Sequence, residues 1–156
     1  MEIPEGAAGT RATLALMRDL VIEYRKNPEI RNLAAQLVRD LDGKDYVGEV
    51  KAVHRFVRDN MRYLRDIADV ETLHTPIELL MSKQGDCDDQ ATLVATLLQS
   101  IGHPVRFMVI GFAPGQYDHV YTESKIGDRW FSVETTEPVD VGWQPKGVQS
   151  RMIWNI

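Results

Sequence analysis

Apolar positions in the first half of the chain recur at helical spacing. Leu14, Met17, Val21 and Tyr24 form one stripe, which Asn27-Pro28 interrupts. From Glu29 to Leu41, residues Ile30, Leu33, Ala34, Leu37, Val38 and Leu41 share a face, and Asp42-Gly43 ends the run. A third helix is expected from Asp45 to Leu64, with Val50, Val53, Phe56, Val57 and Met61 apolar. Arg65 to His74 reads as a polar loop. Thr75-Pro76-Ile77-Glu78 is a helix start, with Thr75 as cap, Pro76 at the first helical position and Glu78 completing a capping box. That helix should end near Gly85. Another follows at once, capped by Asp86, with Ala91, Val94, Leu97, Leu98 and Ile101 apolar up to Gly102.

After Pro104 the period changes. Val105 to Phe112 is rich in strand formers. His119 to Ser124 and Arg129 to Val133 flank Lys125-Ile126-Gly127-Asp128, a hairpin connection. The last twenty residues, punctuated by Pro138, Gly142, Pro145 and Gly147, read as an extended wrap with room for one short strand. Helices first and an antiparallel sheet afterwards make the expected class α+β, a helical N-terminal half packed on the sheet.

The 156 residues suit one domain, and 44% hydrophobic with 26% charged is a globular composition. A net charge of −5 argues against a dedicated nucleic-acid or anionic-membrane binder. No apolar run reaches membrane-spanning length. The first residues carry acids where a secretory leader carries bases, so a cytoplasmic location is expected. One cysteine excludes an internal disulfide framework and any multi-cysteine metal site. No cofactor and no metal are expected.

That cysteine is the most informative residue. A lone cysteine is most often an inert buried hydrophobe. Cys87, however, sits in Gln84-Gly85-Asp86-Cys87-Asp88-Asp89, at the first turn of a helix and among polar neighbours. Unpaired N–H groups at a helix start favour a thiolate, which predicts a thiol more reactive than usual near pH 6. Asp86, Asp88 and Asp89 oppose this unless they cap the helix or turn away, and the sequence leaves the sign of the sum open.

A nucleophilic thiol needs a base. His103 lies past the far end of the same helix, roughly 20 Å away. His54, mid-helix beside Arg55, reads as a surface or boundary residue. His74, just before the Thr75 cap, stays open. His119 opens a strand and has a candidate partner. If Lys125 to Asp128 form the loop, paired residue numbers sum to 253 and Glu134 faces His119 directly. If Gly127-Asp128 alone form it, the sum is 255 and Glu134 becomes the diagonal neighbour. Both registers place His119 and Glu134 on one face, together with Tyr121, Glu123, Trp130 and Ser132. An ordinary cross-strand polar pair would look the same.

A cysteine at a helix start, a histidine opening a strand and an acid on the next strand resemble the transglutaminase-like superfamily. Gly85-Asp86-Cys87 with Ala91, Leu97 and Leu98 resembles that family's cysteine helix. Ile101 to Arg106 resembles the segment leading into its first strand, and His119-Val120-Tyr121-Thr122-Glu123 its histidine strand. Gly127-Asp128-Arg129-Trp130 through Val133-Glu134-Thr135 resembles the hairpin ending in the acid. The family's acid is usually Asp, and here it is Glu134. The helical arm and Gly-Asp-Cys-Asp-Asp also resemble small members encoded by phages and prophages.

The resemblance implies a papain-like cysteine-protease core over residues 45–156, preceded by a helical arm over residues 1–44. It implies a thiol-dependent amide hydrolase acting on a peptide or protein amide through a thioester. Cys87 would be the nucleophile, His119 the proton carrier and Glu134 the orienting acid. The Cys87 N–H would help hold the oxyanion; Gln84, Tyr121 and Trp130 are further oxyanion or substrate candidates. The competing readings are a noncatalytic peptide- or partner-binding module on the same fold and an acyl-transferring transglutaminase. Two other patterns are set aside. Arg55, Arg58, Arg62 and Arg65, interleaved with acids, read as a solvated helix face. Asp86, Asp88 and Asp89 do not have the spacing of a calcium-binding loop.

Overall fold

The computed structural model describes residues 7–65 and 73–156. Helices α1 (Ala7–Tyr24), α2 (Pro28–Val38) and α3 (Tyr46–Asn60) come first. The strand β1 (Arg62–Tyr63), the helix α4 (Pro76–Ser82) and the strand β2 (Gln84–Gly85) lead to α5 (Cys87–Ser100). Strands β3 (Val105–Gly111), β4 (His119–Ile126), β5 (Arg129–Val133) and β6 (Ser150–Asn155) complete the chain. The polar loop expected from Arg65 to His74 lies outside the described residues except at Arg65, Leu73 and His74.

The four long strands form one antiparallel sheet in the order β5-β4-β3-β6. The extended wrap thus returns to pair Ser150–Asn155 with β3. The helix α5 lies between this sheet and the other helices, and Asp89 through Leu98 are all buried. Leu14, Met17 and Val21 of α1, Ile30 and Ala34 of α2, and Val50, Val53 and Val57 of α3 close over one side of it. Phe107, Val109, Val120 and Val133 meet its other side, and Thr122 Oγ1 donates to the Ala91 carbonyl at 2.7 Å. A smaller cluster of Met108, Ile110 and Tyr121 fills the opposite sheet face.

Three expected helix ends move. The second helix stops at Val38 rather than Leu41. The third stops at Asn60 rather than Leu64, because Met61 turns extended and the chain pairs with β2. Arg62 N–H donates to Lys83 O at 2.8 Å and Leu64 N–H to Gly85 O at 3.0 Å. The basic stripe is therefore split, since Arg62 belongs to a strand. The helix α4 ends at Ser82, where Lys83 adopts the left-handed conformation (φ 59°).

Gly85 sits where β2, α4 and α5 converge. A Cβ there would lie 2.8 Å from Asp89 Cβ and 2.8 Å from Leu79 Cδ1. Neither neighbour is the loose end of a surface side chain, so the helix start would have to shift. Gly85→Ala is expected to lower stability by about 1–3 kcal/mol, as overpacking does, in urea denaturation followed by circular dichroism. Gly43→Ala, with open space around its Cβ, should change stability by no more than about 0.5 kcal/mol.

Candidate active site

Cys87 is the first residue of α5, and its neighbours hold the helix start rather than face the thiol alone. Asp89 N–H donates to Asp86 Oδ1 at 3.1 Å, and Asp86 N–H donates to Asp89 Oδ2 at 3.2 Å, a reciprocal capping box. Asp89 is buried and also accepts the His74 main-chain N–H at 2.8 Å; its other oxygen lies 3.0 Å from His74 Nδ1. His74, left open by the sequence, is thus bound to Asp89. The half-buried thiol contacts Asp88 Oδ1 at 3.8 Å and receives the Val120 N–H. Val120 follows His119, so thiol and imidazole issue from adjoining points of α5 and β4.

The hairpin has the two-residue connection. Thr122 pairs with Val133 and Ser124 with Phe131, so paired numbers sum to 255. Gly127, at φ +65°, supplies the positive φ that the first residue of a type II′ turn requires. Glu134, one residue past the ladder, is the diagonal neighbour of His119. Its carboxylate bridges that diagonal: His119 Nε2 is hydrogen-bonded to Glu134 Oε2. Glu134 Oε1 accepts both the N–H and the hydroxyl of Thr136, each at 2.8 Å. With Nε2 taken by Glu134, Nδ1 is the imidazole nitrogen left for a second partner.

Glu134 is 1% exposed. Burial alone would raise its carboxyl pKa, but the hydrogen bond and charge of His119 and the two Thr136 donors outweigh burial and hold it below the ordinary value. Cys87 shows the opposite balance. Burial comes first, then the Asp88 charge, with Asp86 and Glu134 adding to them; together they push the thiol well above its ordinary value against the Val120 N–H. The balance of these causes favours the thiol form, against the pull of the helix start.

His54 is a correction of another kind. It is 2% exposed, not at the surface. Its Nε2 lies 2.7 Å from the Glu134 carbonyl oxygen, which can only accept, so Nε2 carries the proton. Burial lowers its pKa, as does Arg58, against the pull of the carbonyl bond and of Asp140 and Glu134. The available signal was its spacing: Val50, Val53, His54 and Val57 form the buried stripe of α3. His103, excluded as a base by distance, is bound to Glu49 Oε1 at 2.7 Å.

The remaining sequence candidates fall in different places. Gln84 is exposed on β2, opposite Arg62. Tyr121 is buried, with its ring centroid 6.2 Å from that of His119. Trp130 lies under the Arg106 guanidinium, 4.2 Å from ring centroid to Cζ. It is four residues from Glu134, roughly 13 Å along the strand. A residue not anticipated from the sequence is Tyr63. The β1–β2 pairing sets it opposite Gly85. Tyr63 is 48% exposed; partial burial, then the Cys87 and Asp86 charges, raise its phenol pKa. A two-residue strand has no periodicity to announce it. A pocket of about 280 Å³ adjoins this corner, lined by Met61, Tyr63, Gln90, Thr136 and Pro138 among others. Among the described residues, no three His, Cys, Asp or Glu side chains converge as a metal site requires, and no helix is long and apolar enough to cross a membrane.

Known structures share this architecture. A "putative cysteine protease" from Cytophaga hutchinsonii superposes with a TM-score of 0.59 at 18% identity, covering 85% of this chain and 48% of its own. A "putative protease" from Parabacteroides distasonis ATCC 8503 gives 0.65 at 15% identity, covering 80% of this chain and 26% of its own. This chain thus spans about half of the first and a quarter of the second. Calcium-bound LapG from Legionella pneumophila gives 0.56 at 16% identity, covering 91% of this chain and 87% of its own. At such identities the likeness is one of fold. No curated protein matches the sequence. The core pattern of the transglutaminase-like superfamily does match, over residues 31–135, two-thirds of the length, and the chain belongs to that superfamily.

Proposed function

We propose that the protein is a thiol-dependent amide hydrolase acting on a peptide or protein through a thioester acyl-enzyme. The observation that carries this reading is the imidazole held at Nε2 by a buried carboxylate, on the strand whose next N–H binds the cysteine sulfur. In this reading Cys87 Sγ attacks the amide carbonyl as His119 Nδ1 takes the thiol proton. The tetrahedral intermediate collapses, the C–N bond breaks, and His119 returns the proton to the departing amine. Water, deprotonated by His119, then cleaves the thioester and releases the acid. Glu134 fixes the imidazole tautomer and offsets the imidazolium charge. The Cys87 N–H and the Tyr63 hydroxyl are the oxyanion donors, with exposed Gln84 at the rim. The pocket beside Tyr63 receives a substrate side chain. Buried Tyr121 packs on the imidazole side of the sheet.

A second reading, a noncatalytic peptide-binding module, is favoured by one observation. Burial and the Asp88 charge raise the thiol pKa, and the sulfur contacts Asp88 Oδ1. A pool of peptidyl-aminomethylcoumarins separates the two. The hydrolase releases coumarin in a Cys87-dependent manner. Peptide binding without release, unchanged in Cys87→Ala, would establish the module. Product trapped on an added primary amine in preference to water would instead mark an acyltransferase.

The raised thiol predicts the pH dependence of labelling. A group whose pKa lies above about 8.5, the ordinary thiol value, gives little thiolate below it. Iodoacetamide labelling of Cys87 should therefore be slower than that of a free thiol at pH 6 to 8 and should climb above that range. A plateau already reached at pH 6 would mean that thiolate and imidazolium form the resting pair.

Replacing the acid tests its role and its length. Glu134→Gln should leave the circular dichroism spectrum intact and reduce coumarin release by up to about 10⁴-fold. Glu134→Asp retains charge but not reach, and should recover only a fraction of activity. Asp118→Asn, at an exposed neighbour of His119, should be close to wild type. Loss of activity in Asp118→Asn, with Glu134→Gln active, would reassign the acid.

A further inference from the structure

The proposed reaction gives Glu134 a carboxylate to aim but says nothing of what holds its main chain. The ladder of β5 ends at Val133. Beyond it the Glu134 carbonyl has no strand partner, although the residue is buried. A buried carbonyl needs a donor. That donor is the Nε2–H of His54, a residue 80 positions earlier in the sequence, reaching across from α3 at 2.7 Å. Val50, Val53 and Val57, all fully buried, lock the same face of α3 into the core, so the donor is carried on a rigid element.

We infer that His54 is a positioning residue for the acid: its Nε2–H fixes the main chain where β5 ends and so aims the Glu134 carboxylate at His119. The inference rests on the reading of Cys87, His119 and Glu134 as the reacting set. The role belongs to His54 as a neutral donor, and it transfers no proton in the reaction. Its nearest rivals for influence are charges, not hydrogen bonds. Arg58 stands one turn along α3, and Asp140 lies on the segment after β5. Neither is bonded to the Glu134 carbonyl. Thr136 holds the carboxylate from the other end, so the acid is fixed at its side chain by its own segment and at its main chain by α3.

The test compares His54→Phe, which fills the volume without a donor, with His54→Gln, whose amide nitrogen can stand near the position of Nε2. Two readouts are taken. One is the downfield proton resonance of His119 Nε2–H donating to a buried carboxylate, assigned by its loss in Glu134→Gln. The other is the rate of Cys87 inactivation by a peptidyl acyloxymethyl ketone. His54→Phe should lose or shift the resonance and slow inactivation roughly 10- to 100-fold, the scale of a misplacement of about 1 Å. His54→Gln should restore the resonance and bring the rate close to wild type. If His54→Phe fails to fold, His54→Asn replaces it, since its shorter amide falls short of the carbonyl. A donor-less variant that folds, keeps the resonance and reacts at the wild-type rate would overturn the inference. If Glu134→Gln loses the resonance but not the rate, the catalytic reading fails instead, and the resonance alone then decides whether His54 positions the acid.

Discussion

The site depends on a carboxylate taken out of water. Burying an ionised carboxyl costs several kcal/mol unless donors replace its hydration. Glu134 is 1% exposed, and its oxygens have three donors, His119 Nε2–H and the N–H and hydroxyl of Thr136. These partners come from β4 and from the chain just after β5. The same segment reaches further. Thr135 Oγ1 donates to Gln90 Oε1 at 2.8 Å, and Gln90 Nε2 donates to Gly85 O at 3.4 Å. Gly85 O also accepts the Leu64 N–H. A second chain of hydrogen bonds thus runs from the residue after the acid through α5 to the two short strands. A buried network of this kind is stabilising when complete and costly when one member is lost.

The thiol is treated in the opposite way. A helix N-terminus is worth roughly 0.3–1 kcal/mol to an adjacent anion. One pKa unit corresponds to 1.36 kcal/mol, and desolvation of a buried group can shift it by several units. The dipole is therefore too small to prevail against burial and three nearby carboxylates. Two of the acids that surround Cys87 in sequence are there for the helix. Asp86 and Asp89 cap α5 reciprocally, and Asp89 also ties down His74. Asp88 instead stands beside the sulfur, with Oδ1 3.8 Å from it.

Much of this was legible in the chain because it is local or periodic. The stripes of α1, α2 and α5, the Thr75 capping box and the parity of the hairpin follow from spacing alone, and the α+β arrangement follows from their order. What escaped has no local signature. The β1–β2 pairing joins residues some twenty apart through two-residue strands, and it overrode a helical pattern that continued to Leu64. Tyr63 is set opposite Gly85, two residues before Cys87, only through that pairing. His54 was misread because a histidine between a valine and an arginine reads as polar; its place on the Val50–Val53–Val57 stripe was the better guide. Its partner, a carbonyl 80 residues away, is invisible to any pattern.

Parity fixed the face on which acid and histidine meet, but register fixed the reach. Directly opposite residues on an antiparallel pair have Cβ atoms about 4.5–5.5 Å apart, and diagonal ones stand about 7–8 Å apart. The two-residue Gly127-Asp128 turn places Tyr121 opposite position 134 and leaves His119 on the diagonal. An aspartate suits the short separation. The diagonal calls for one more methylene, and the chain has glutamate there. The departure from the family's usual acid and the tightness of the turn are therefore one fact. A longer connection with the 253 register would make aspartate the better fit. The longer side chain has more rotamers to lose, so it needs firmer holding, and Glu134 is held at both carboxylate oxygens and at its own carbonyl.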